Sequence, residues 1–157
     1  MAPGSRWLKP ADTEPIRRVW MNFPRAGAVN FSAMWQLSSA RRAWTRLAEA
    51  INQFVPVTLL VDPDDQHTVG SYLSSDINTV VVPFNNASLR RTGPTLVVSR
   101  EPQSNHGRRP RRVLGMVDFT FNGFGQLPGV EYGLDDTLPG TLTELLPAHY
   151  EMQERQL

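Results

Sequence analysis

The sequence contains no cysteine in its 157 residues. Without a thiol the chain can form no disulfide, bind no metal through a thiolate and supply no thiolate nucleophile. Its three histidines, His67, His106 and His149, are scattered through the sequence, whereas histidine ligands of structural zinc sites occur at short, regular spacings. We therefore predict no metal site and no cofactor.

Net charge and long apolar runs are also lacking. The formal net charge is +1, which gives no bulk attraction to nucleic acid or to a membrane surface. No apolar run approaches the roughly 18 to 20 residues that span a bilayer, and the first residues lack the apolar region of a signal peptide. We predict a cytoplasmic protein with neither a nucleic-acid nor a membrane partner.

Hydrophobic periodicity predicts one long amphipathic helix over residues 32–54, which ends before Pro56. Its predicted apolar face consists of residues at three- and four-residue steps: Leu37, Ala40, Trp44, Leu47, Ala48 and Ile51. The charged residues expected mainly on the other side are Arg41, Arg42, Arg46 and Glu49. Such a pattern is typical of a helix that packs one side against a core.

Short apolar and β-branched runs predict the strands. They cover residues 57–61, 77–82, 95–99 and 113–121. A shorter helix is expected over residues 63–73, with Asp62 as its cap and Pro63 at its first position, and a weaker one over residues 141–150. Strands that alternate with helices predict an α/β (α+β) fold rich in βαβ units.

Three polar features allow two interpretations each. The five arginines of residues 100–112 suit a patch for an anionic partner, but we favour a solvated hairpin connection, because no aromatic residues are interleaved to stack bases. Asp118, a lone carboxylate on a predicted strand, is taken as a structural hydrogen-bond partner rather than a catalytic acid. Asp135 and Asp136 are interpreted as an acid pair at the start of a helix, with an acid/base role as the alternative.

Residues 85–95, NNASLRRTGPT, carry the most informative motif. The segment resembles a loop of the agmatine deiminase family, which includes the bacterial Porphyromonas-type peptidylarginine deiminases and reads roughly Asn-Asp-x-Trp-x-Arg-Asp-x-Gly-Pro-Thr. The residues that agree with this pattern are Asn85, Arg90, Gly93, Pro94 and Thr95. The residues that depart from it are Asn86 and Arg91, in place of the two Asp, and Ser88, in place of Trp.

Three further segments in the same order resemble this family. Residues 14–24 contain Trp20 of the family's opening motif, and residues 54–62 resemble its Pro-Val-x-Met-Leu-Val strand. Residues 115–125 resemble Val-Asp-Trp-x-Phe-Asn-Gly-Trp-Gly, with Asp118, Asn122 and Gly123 retained. The resemblance is best over residues 10–125, so the chain is expected to be the N-terminal portion of such a protein, with residues 126–157 as a divergent tail.

The resemblance implies a pentein fold, a propeller of five ββαβ-type units around a central channel. The chain covers about one unit and part of a second, so we expect a single incomplete domain over residues 1–157. A partial propeller leaves sheet edges uncovered, and uncovered edges favour pairing with other chains. We therefore expect self-association through these edges.

The resemblance also implies a reaction, the hydrolysis of agmatine to N-carbamoylputrescine and ammonia in putrescine biosynthesis. Peptidyl-arginine remains open as the ancestral substrate. The family mechanism needs a cysteine nucleophile and a His-x-Asp pair, and this chain has neither, so no catalytic residue is assigned. Arg91 stands where a carboxylate would attract the guanidinium. Two like charges about 4 Å apart repel by roughly 4 kcal/mol at an effective dielectric constant of about 20.

We therefore expect a catalytically inactive chain that binds no guanidine through this degenerate loop. Ser88 supports this expectation, because it removes the aromatic face on which a guanidinium could stack. Two alternatives remain. The chain could form one part of a split or oligomeric deiminase, or act as a non-enzymatic binding module that uses residues 100–112 or an exposed sheet edge.

Overall fold

Two compact units organise the chain. The structure, a computed structural model, describes residues 7–27, 34–74, 76–100 and 112–154. One unit comprises Met1–Pro15 with Pro94–Phe119, and the other comprises Ile16–Gly93 with Thr120–Leu157. Each unit is described by itself below. The single domain expected over residues 1–157 stays a prediction.

The larger unit, Ile16–Gly93 with Thr120–Leu157, is built on a three-stranded parallel sheet. Its strands are β2, Val19–Asn22, β3, Val57–Val61, and β4, Asn78–Val81, in the order β2-β3-β4. Helix α1, Met34–Asn52, connects the first two strands. The sequence predicted this helix and β3, whereas β2 was not predicted. All five residues of β3 are buried, as expected of a central parallel strand with both faces covered.

The buried face of α1 differs from the predicted one. Its buried residues are Leu37, Arg41, Thr45 and Ala48, whereas Leu47 is 52% exposed. The apolar pattern predicted Arg41 on the solvent side. That prediction was wrong because Arg41 forms a buried ion pair with Asp65 and donates to the carbonyl of Pro24 at 2.9 Å.

The segment after β3 forms a shorter helix than predicted. Asp62 caps a single 3-10 turn, Pro63–Asp65, by accepting a hydrogen bond from the Asp64 N–H at 3.1 Å, which confirms its predicted role. Helix α2 then covers only Gln66–Val69. The predicted extension to residue 73 was wrong, because Gly70 ends the helix and the following residues form turns.

The smaller unit, Met1–Pro15 with Pro94–Phe119, contains an antiparallel sheet. Its strands are β1, Trp7–Leu8, β5, Thr95–Arg100, and β6, Arg112–Val117, in the order β1-β5-β6. Because β5 and β6 pair with Arg100 opposite Arg112, residues 100–112 do connect two paired strands. Residues 101–111 lie outside the described part of the chain, so the favoured solvated connection stays a prediction and the patch for an anionic partner stays its alternative.

Strand β6 is shorter than predicted. It ends at Val117, which pairs with Thr95, the first residue of β5. The predicted extension to residue 121 was wrong, because the partner strand begins at Thr95 and Pro94 before it has no backbone N–H to donate. Asp118 consequently follows the strand instead of lying on it, and it is exposed.

Three further helices belong to the larger unit, besides α1 and α2. They are α3, Leu89–Thr92, α4, Gly123–Gln126, and α5, Gly133–Glu154. Helix α5 starts before the predicted residue 141 and includes Pro139, whose ring removes one backbone donor. Asp135 and Asp136 lie in its first turn, which confirms the predicted acid pair. No helix in the described part of the chain is long and apolar enough to cross a membrane.

Candidate functional site

Polar residues collect where the three parallel strands end. Asn22 is the last residue of β2, Asp62 directly follows β3, and Asn85 and Asn86 follow β4 by a few residues. In open α/β sheets ligands bind outside the carboxyl ends of the strands. This edge of the parallel sheet is therefore the candidate functional site, and the motif at residues 85–95 begins there.

The start of α5 holds the backbone of this motif. Asp135 Oδ1 accepts hydrogen bonds from the N–H groups of Asn85, at 2.8 Å, and Asn86, at 3.0 Å. In return Asn85 Oδ1 accepts from the Leu134 N–H at 2.9 Å. Three hydrogen bonds thereby join the start of the motif to the start of α5, although the bonded residues are 49 or 50 positions apart in the sequence.

Asn86 is the most strongly anchored residue of the motif. It is 4% exposed, and its side-chain Oδ1 accepts from the Ser88 N–H at 2.9 Å. Its carbonyl accepts from Asn22 Nδ2 at 2.8 Å. Asn86 thus shapes the loop through its own side chain, where the related motif has an Asp.

Two buried oxygens next to Asn86 accept no hydrogen bond from the described residues. They are Asn22 Oδ1 and Asp135 Oδ2. Both residues are essentially inaccessible, at 1% and 0% exposure. A buried acceptor without a hydrogen bond lowers stability by about 1–3 kcal/mol, so these two oxygens are energetically unfavourable as they stand.

One arginine supplies positive charge at this edge. Arg25 Nη1 lies 3.3 Å from Asp62 Oδ2 and also donates to the Phe84 carbonyl. Burial raises the pKa of Asp135 above its ordinary value, while the N–H groups of Asn86 and Asn85, and then the charge of Arg25, act in the opposite direction. Desolvation is the dominant effect on that pKa.

The second half of the motif forms helix α3 and carries the two arginines. Both Arg90 and Arg91 are exposed. The Arg91 guanidinium carbon lies 5.4 Å from the centroid of the Phe124 ring, and Phe124 packs edge-on against Phe121 with centroids 5.1 Å apart. The motif therefore contains a helical turn and places its own guanidinium on an aromatic face.

The motif residues shared with the resembling family lie in several places. Gly93 ends α3, where a Cβ would come 2.8 Å from the Leu89 carbonyl oxygen. Asn122 accepts from the Gly125 N–H at 2.9 Å, and Gly123 adopts a φ of +64° beside the Tyr132 ring. The other retained residues are Trp20 on β2, Pro94 and Thr95 at the start of β5, and Asp118 after β6.

Of the predicted site residues, the structure brings together Asn85, Asn86 and Ser88, and it adds three residues that were not predicted to belong to the site. These are Asn22, Arg25 and Asp135, the last of which was interpreted as part of an acid pair at the start of a helix, with an acid/base role as the alternative. A polar residue directly after a buried strand is the signal that could have identified Asn22. No group of three or more His, Asp or Glu able to hold a metal occurs in the described ranges.

Comparison with known proteins gives the family. The family model for Porphyromonas-type peptidyl-arginine deiminase matches residues 8–155. The chain belongs to this family. The match continues beyond Gly125, where the quoted motifs end.

Agmatine deiminases are among its relatives. The chain is 33% identical over 116 residues to a Streptomyces coelicolor protein classed as an agmatine deiminase, covering 74% of this chain and 31% of that protein. It is 31% identical over 124 residues to the agmatine deiminase of Medicago truncatula, covering 75% of this chain and 30% of that protein. The agmatine deiminase structure from Enterococcus faecalis matches with a TM-score of 0.72 and 25% identity, covering 88% of this chain and 35% of that one.

This family member spans only about a third of the length of these relatives, between 30% and 35% in the three comparisons. Its described residues form a mixed α/β structure that matches part of the agmatine deiminase fold.

Proposed function

We propose that this chain is a non-catalytic member of the agmatine deiminase-type family, folded as part of a pentein, whose motif loop no longer accepts a guanidine. The family reaction converts agmatine to N-carbamoylputrescine and ammonia. The observation that carries the proposal is Arg91, whose own guanidinium lies on the Phe124 ring, 5.4 Å from its centroid.

The electrostatics of the motif support the proposal. At the two positions where a guanidine-binding loop would have carboxylates, this chain has Asn86 and Arg91. The side-chain oxygen of Asn86 accepts a hydrogen bond from the Ser88 N–H, and Arg91 is a cation. A repulsion of roughly 4 kcal/mol, for two cations about 4 Å apart, corresponds to roughly a thousandfold in affinity. Any aromatic attraction at Phe124 is already used by Arg91 and amounts to about 0.5–1 kcal/mol at an exposed site.

The chemistry of deimination supports it as well. Attack on a guanidinium carbon needs a nucleophile that is deprotonated near neutral pH, a role that a thiolate fills and that a hydroxyl fills only with an adjacent base. The sequence has no cysteine. Ser88, the only hydroxyl residue among positions 85–91, uses its N–H to bond Asn86 and lies at the start of α3.

Ammonia release tests the catalytic part of this proposal. The purified chain is incubated with agmatine and, separately, with an arginine-containing peptide, with the Enterococcus faecalis enzyme as the positive control. We expect no ammonia above the buffer blank from the chain. Release that scales with chain concentration would refute the proposal.

Agmatine titration tests the binding part. We expect no saturable binding by the unaltered chain and measurable binding by Arg91→Asp, because the substitution replaces the repelling cation by a carboxylate. Arg90→Asp is the matched control, since it makes the same change of charge at the neighbouring exposed position. Equal binding by both variants would mean that net charge, and not the place of Arg91, governs affinity.

A second candidate, one component of a two-part deiminase, is favoured by the chain's coverage of only 35% of the Enterococcus structure. Activity restored on mixing with the remaining two thirds of that enzyme, which would have to supply the cysteine and the His-x-Asp pair, supports this candidate. Inactivity of a mixture that forms a stable complex counts against it.

Location and assembly complete the proposal. We place the chain in the cytoplasm and expect it to self-associate, because β2 and β4 form the two edges of the parallel sheet. Large apolar side chains are exposed as well, Trp35 at 71% and Phe54 at 89%. A concentration-independent monomer mass in light scattering would exclude self-association.

A further inference from the structure

Asp135 joins two segments that are far apart in the sequence. Its Oδ1 accepts from the N–H groups of both Asn85 and Asn86, at 2.8 and 3.0 Å. Its side chain is therefore the direct link between the first turn of α5 and the start of the motif loop. Leu134 strengthens this link by donating its N–H to Asn85 Oδ1 at 2.9 Å.

The other carboxyl oxygen of Asp135 has no donor among the residues that the structure describes. Oδ2 is buried and accepts no hydrogen bond within the described residues, and the same holds for Asn22 Oδ1. Both side chains are bound to the backbone of one residue, Asn86, which donates to Asp135 Oδ1 and accepts from Asn22 Nδ2. Two such acceptors on side chains that bind the same residue are satisfied together if they meet and one of them carries a hydrogen.

Charge at the site does not compensate an ionised Asp135. Following β2, Arg25 contributes a positive charge, but its guanidinium lies 3.3 Å from Asp62 Oδ2, which follows β3. On α5 the neighbouring Asp136 accepts from the Phe121 N–H at 2.6 Å and adds a second carboxyl group. The motif loop contributes Arg90 and Arg91, which are exposed. A fully buried carboxylate without its own cation is strongly disfavoured.

We propose that Asp135 is a proton-carrying positioning residue: its Oδ1 fixes the backbone of Asn85 and Asn86, and its Oδ2 carries a hydrogen that is donated to Asn22 Oδ1. A neutral Asp135 carboxyl group would give both of the unsatisfied oxygens, its own Oδ2 and Asn22 Oδ1, a hydrogen bond. Ionisation breaks the Asn22 contact and leaves a buried charge beside the loop, so the loop is held most firmly in the protonated form. This inference does not depend on whether the chain binds or cleaves a guanidine.

The direction of the pH dependence follows from burial. Because burial raises the pKa of Asp135 in the folded chain, the folded state binds this proton more tightly than the unfolded state does. The stability that the proton contributes is fully present below the unfolded-state pKa of about 3.9, and it is lost as pH rises through the folded-state pKa. This direction is opposite to that of a salt-bridged carboxylate.

Urea unfolding between pH 4 and pH 9 tests the proposal with two variants. Asp135→Asn keeps an acceptor at Oδ1 and supplies a permanent donor in place of the Oδ2 hydrogen. We expect its urea midpoint to match or exceed that of the unaltered chain at the upper end of the range, and to lack the decline assigned to Asp135. The matched control is Asp136→Asn, the same change in the same helical turn, which should retain that decline.

Carbon-13 NMR of the aspartate carboxyl groups measures the proton directly in the unaltered chain. We expect the Asp135 carboxyl to titrate above the ordinary value of about 3.9, with the amide resonances of Asn85 and Asn86 shifting at the same midpoint. Asn22→Asp should move that midpoint upward, because it places a second carboxyl group beside the first.

Three results would overturn the proposal. One is an Asp135 carboxyl that is ionised throughout the pH range, and another is an Asp135→Asn variant that is weakened at every pH with the decline intact. An Asp135 midpoint unchanged by Asn22→Asp would remove Asn22 as the acceptor. If Asp135→Asn fails to fold, the carboxyl titration of the unaltered chain decides the matter alone.

Discussion

Replacing Arg41 by methionine removes one partner of a buried ion pair while keeping a long apolar side chain. Arg41 is 7% exposed and Asp65 is 6% exposed. Arg41 also donates to the Pro24 carbonyl at 2.9 Å and lies over the Phe23 ring, 5.1 Å from its centroid. The substitution leaves the Asp65 carboxylate buried without its cation, so we expect the free energy of unfolding to fall by about 3–5 kcal/mol.

The individual contacts are consistent with that magnitude. A hydrogen bond from a charged group contributes about 1.5–3 kcal/mol, and a desolvated cation over an aromatic ring about 2 kcal/mol. These terms overlap and are not summed. Against a total stability of about 5–15 kcal/mol for a folded domain, the loss from Arg41→Met is large enough to unfold a marginal chain.

Equilibrium unfolding in urea, followed by tryptophan fluorescence, measures this loss. With a slope of about 2 kcal/mol per molar urea, a loss of about 3 kcal/mol lowers the midpoint by roughly 1.5 M. Arg42→Met is the matched control, because Arg42 is the exposed neighbour on the same helix and such surface changes usually stay within about 0.5 kcal/mol. Similar midpoints for the two variants would refute the assignment of Arg41 to the core.

The double variant Arg41→Met with Asp65→Leu separates lost attraction from stranded charge. If most of the cost of Arg41→Met comes from the unpaired Asp65 carboxylate, removing that carboxylate should recover much of the stability. A double variant that is as unstable as the sum of the single changes would show that the pair contributes no such coupling.

Two glycine substitutions test close approaches in the two units. For Gly123→Ala the new Cβ would lie 2.3 Å from the Tyr132 ring at a φ of +64°, so we expect the free energy of unfolding in urea to fall by about 2–4 kcal/mol. The control Gly125→Ala, at a φ of +87° with no atom within 4 Å, should lose only the backbone strain of about 1 kcal/mol. Equal losses would show that the Tyr132 contact does not explain the effect. For Gly115→Ala the Cβ would lie 2.4 Å from the Trp7 ring, so we expect a changed near-ultraviolet circular dichroism spectrum, and an unchanged spectrum would contradict the position of Trp7.

Local patterns predicted the elements whose formation depends on near neighbours. The β-branched run of residues 57–61 gave strand β3 at its observed bounds, and Asp62 before Pro63 gave the cap. The length of β6 was overestimated, because a strand ends where its partner ends. The partner of Val117 is Thr95, and residues 113–121 alone do not identify it.

Within the candidate site, the motif at residues 85–95 was recognised from the sequence, but its anchoring was not. The sequence shows Asp135 only as an acid near a helix start, a place where a carboxylate is favourable in any helix. Its second role depends on Asn86, 49 residues away, and no periodicity in either segment reports such a contact.

The sequence by itself determined the family, the βαβ order and the absence of a thiol, because each of these depends on residue identity and local spacing. Tertiary structure alone decided that Arg41 is buried and that Asp135 holds the motif loop. Any prediction from a local pattern places a charged side chain in solvent, because burying a charge without a partner costs too much free energy. Only the fold brings Asp65, 24 residues from Arg41, and the Asn85 and Asn86 N–H groups close enough to offset that cost.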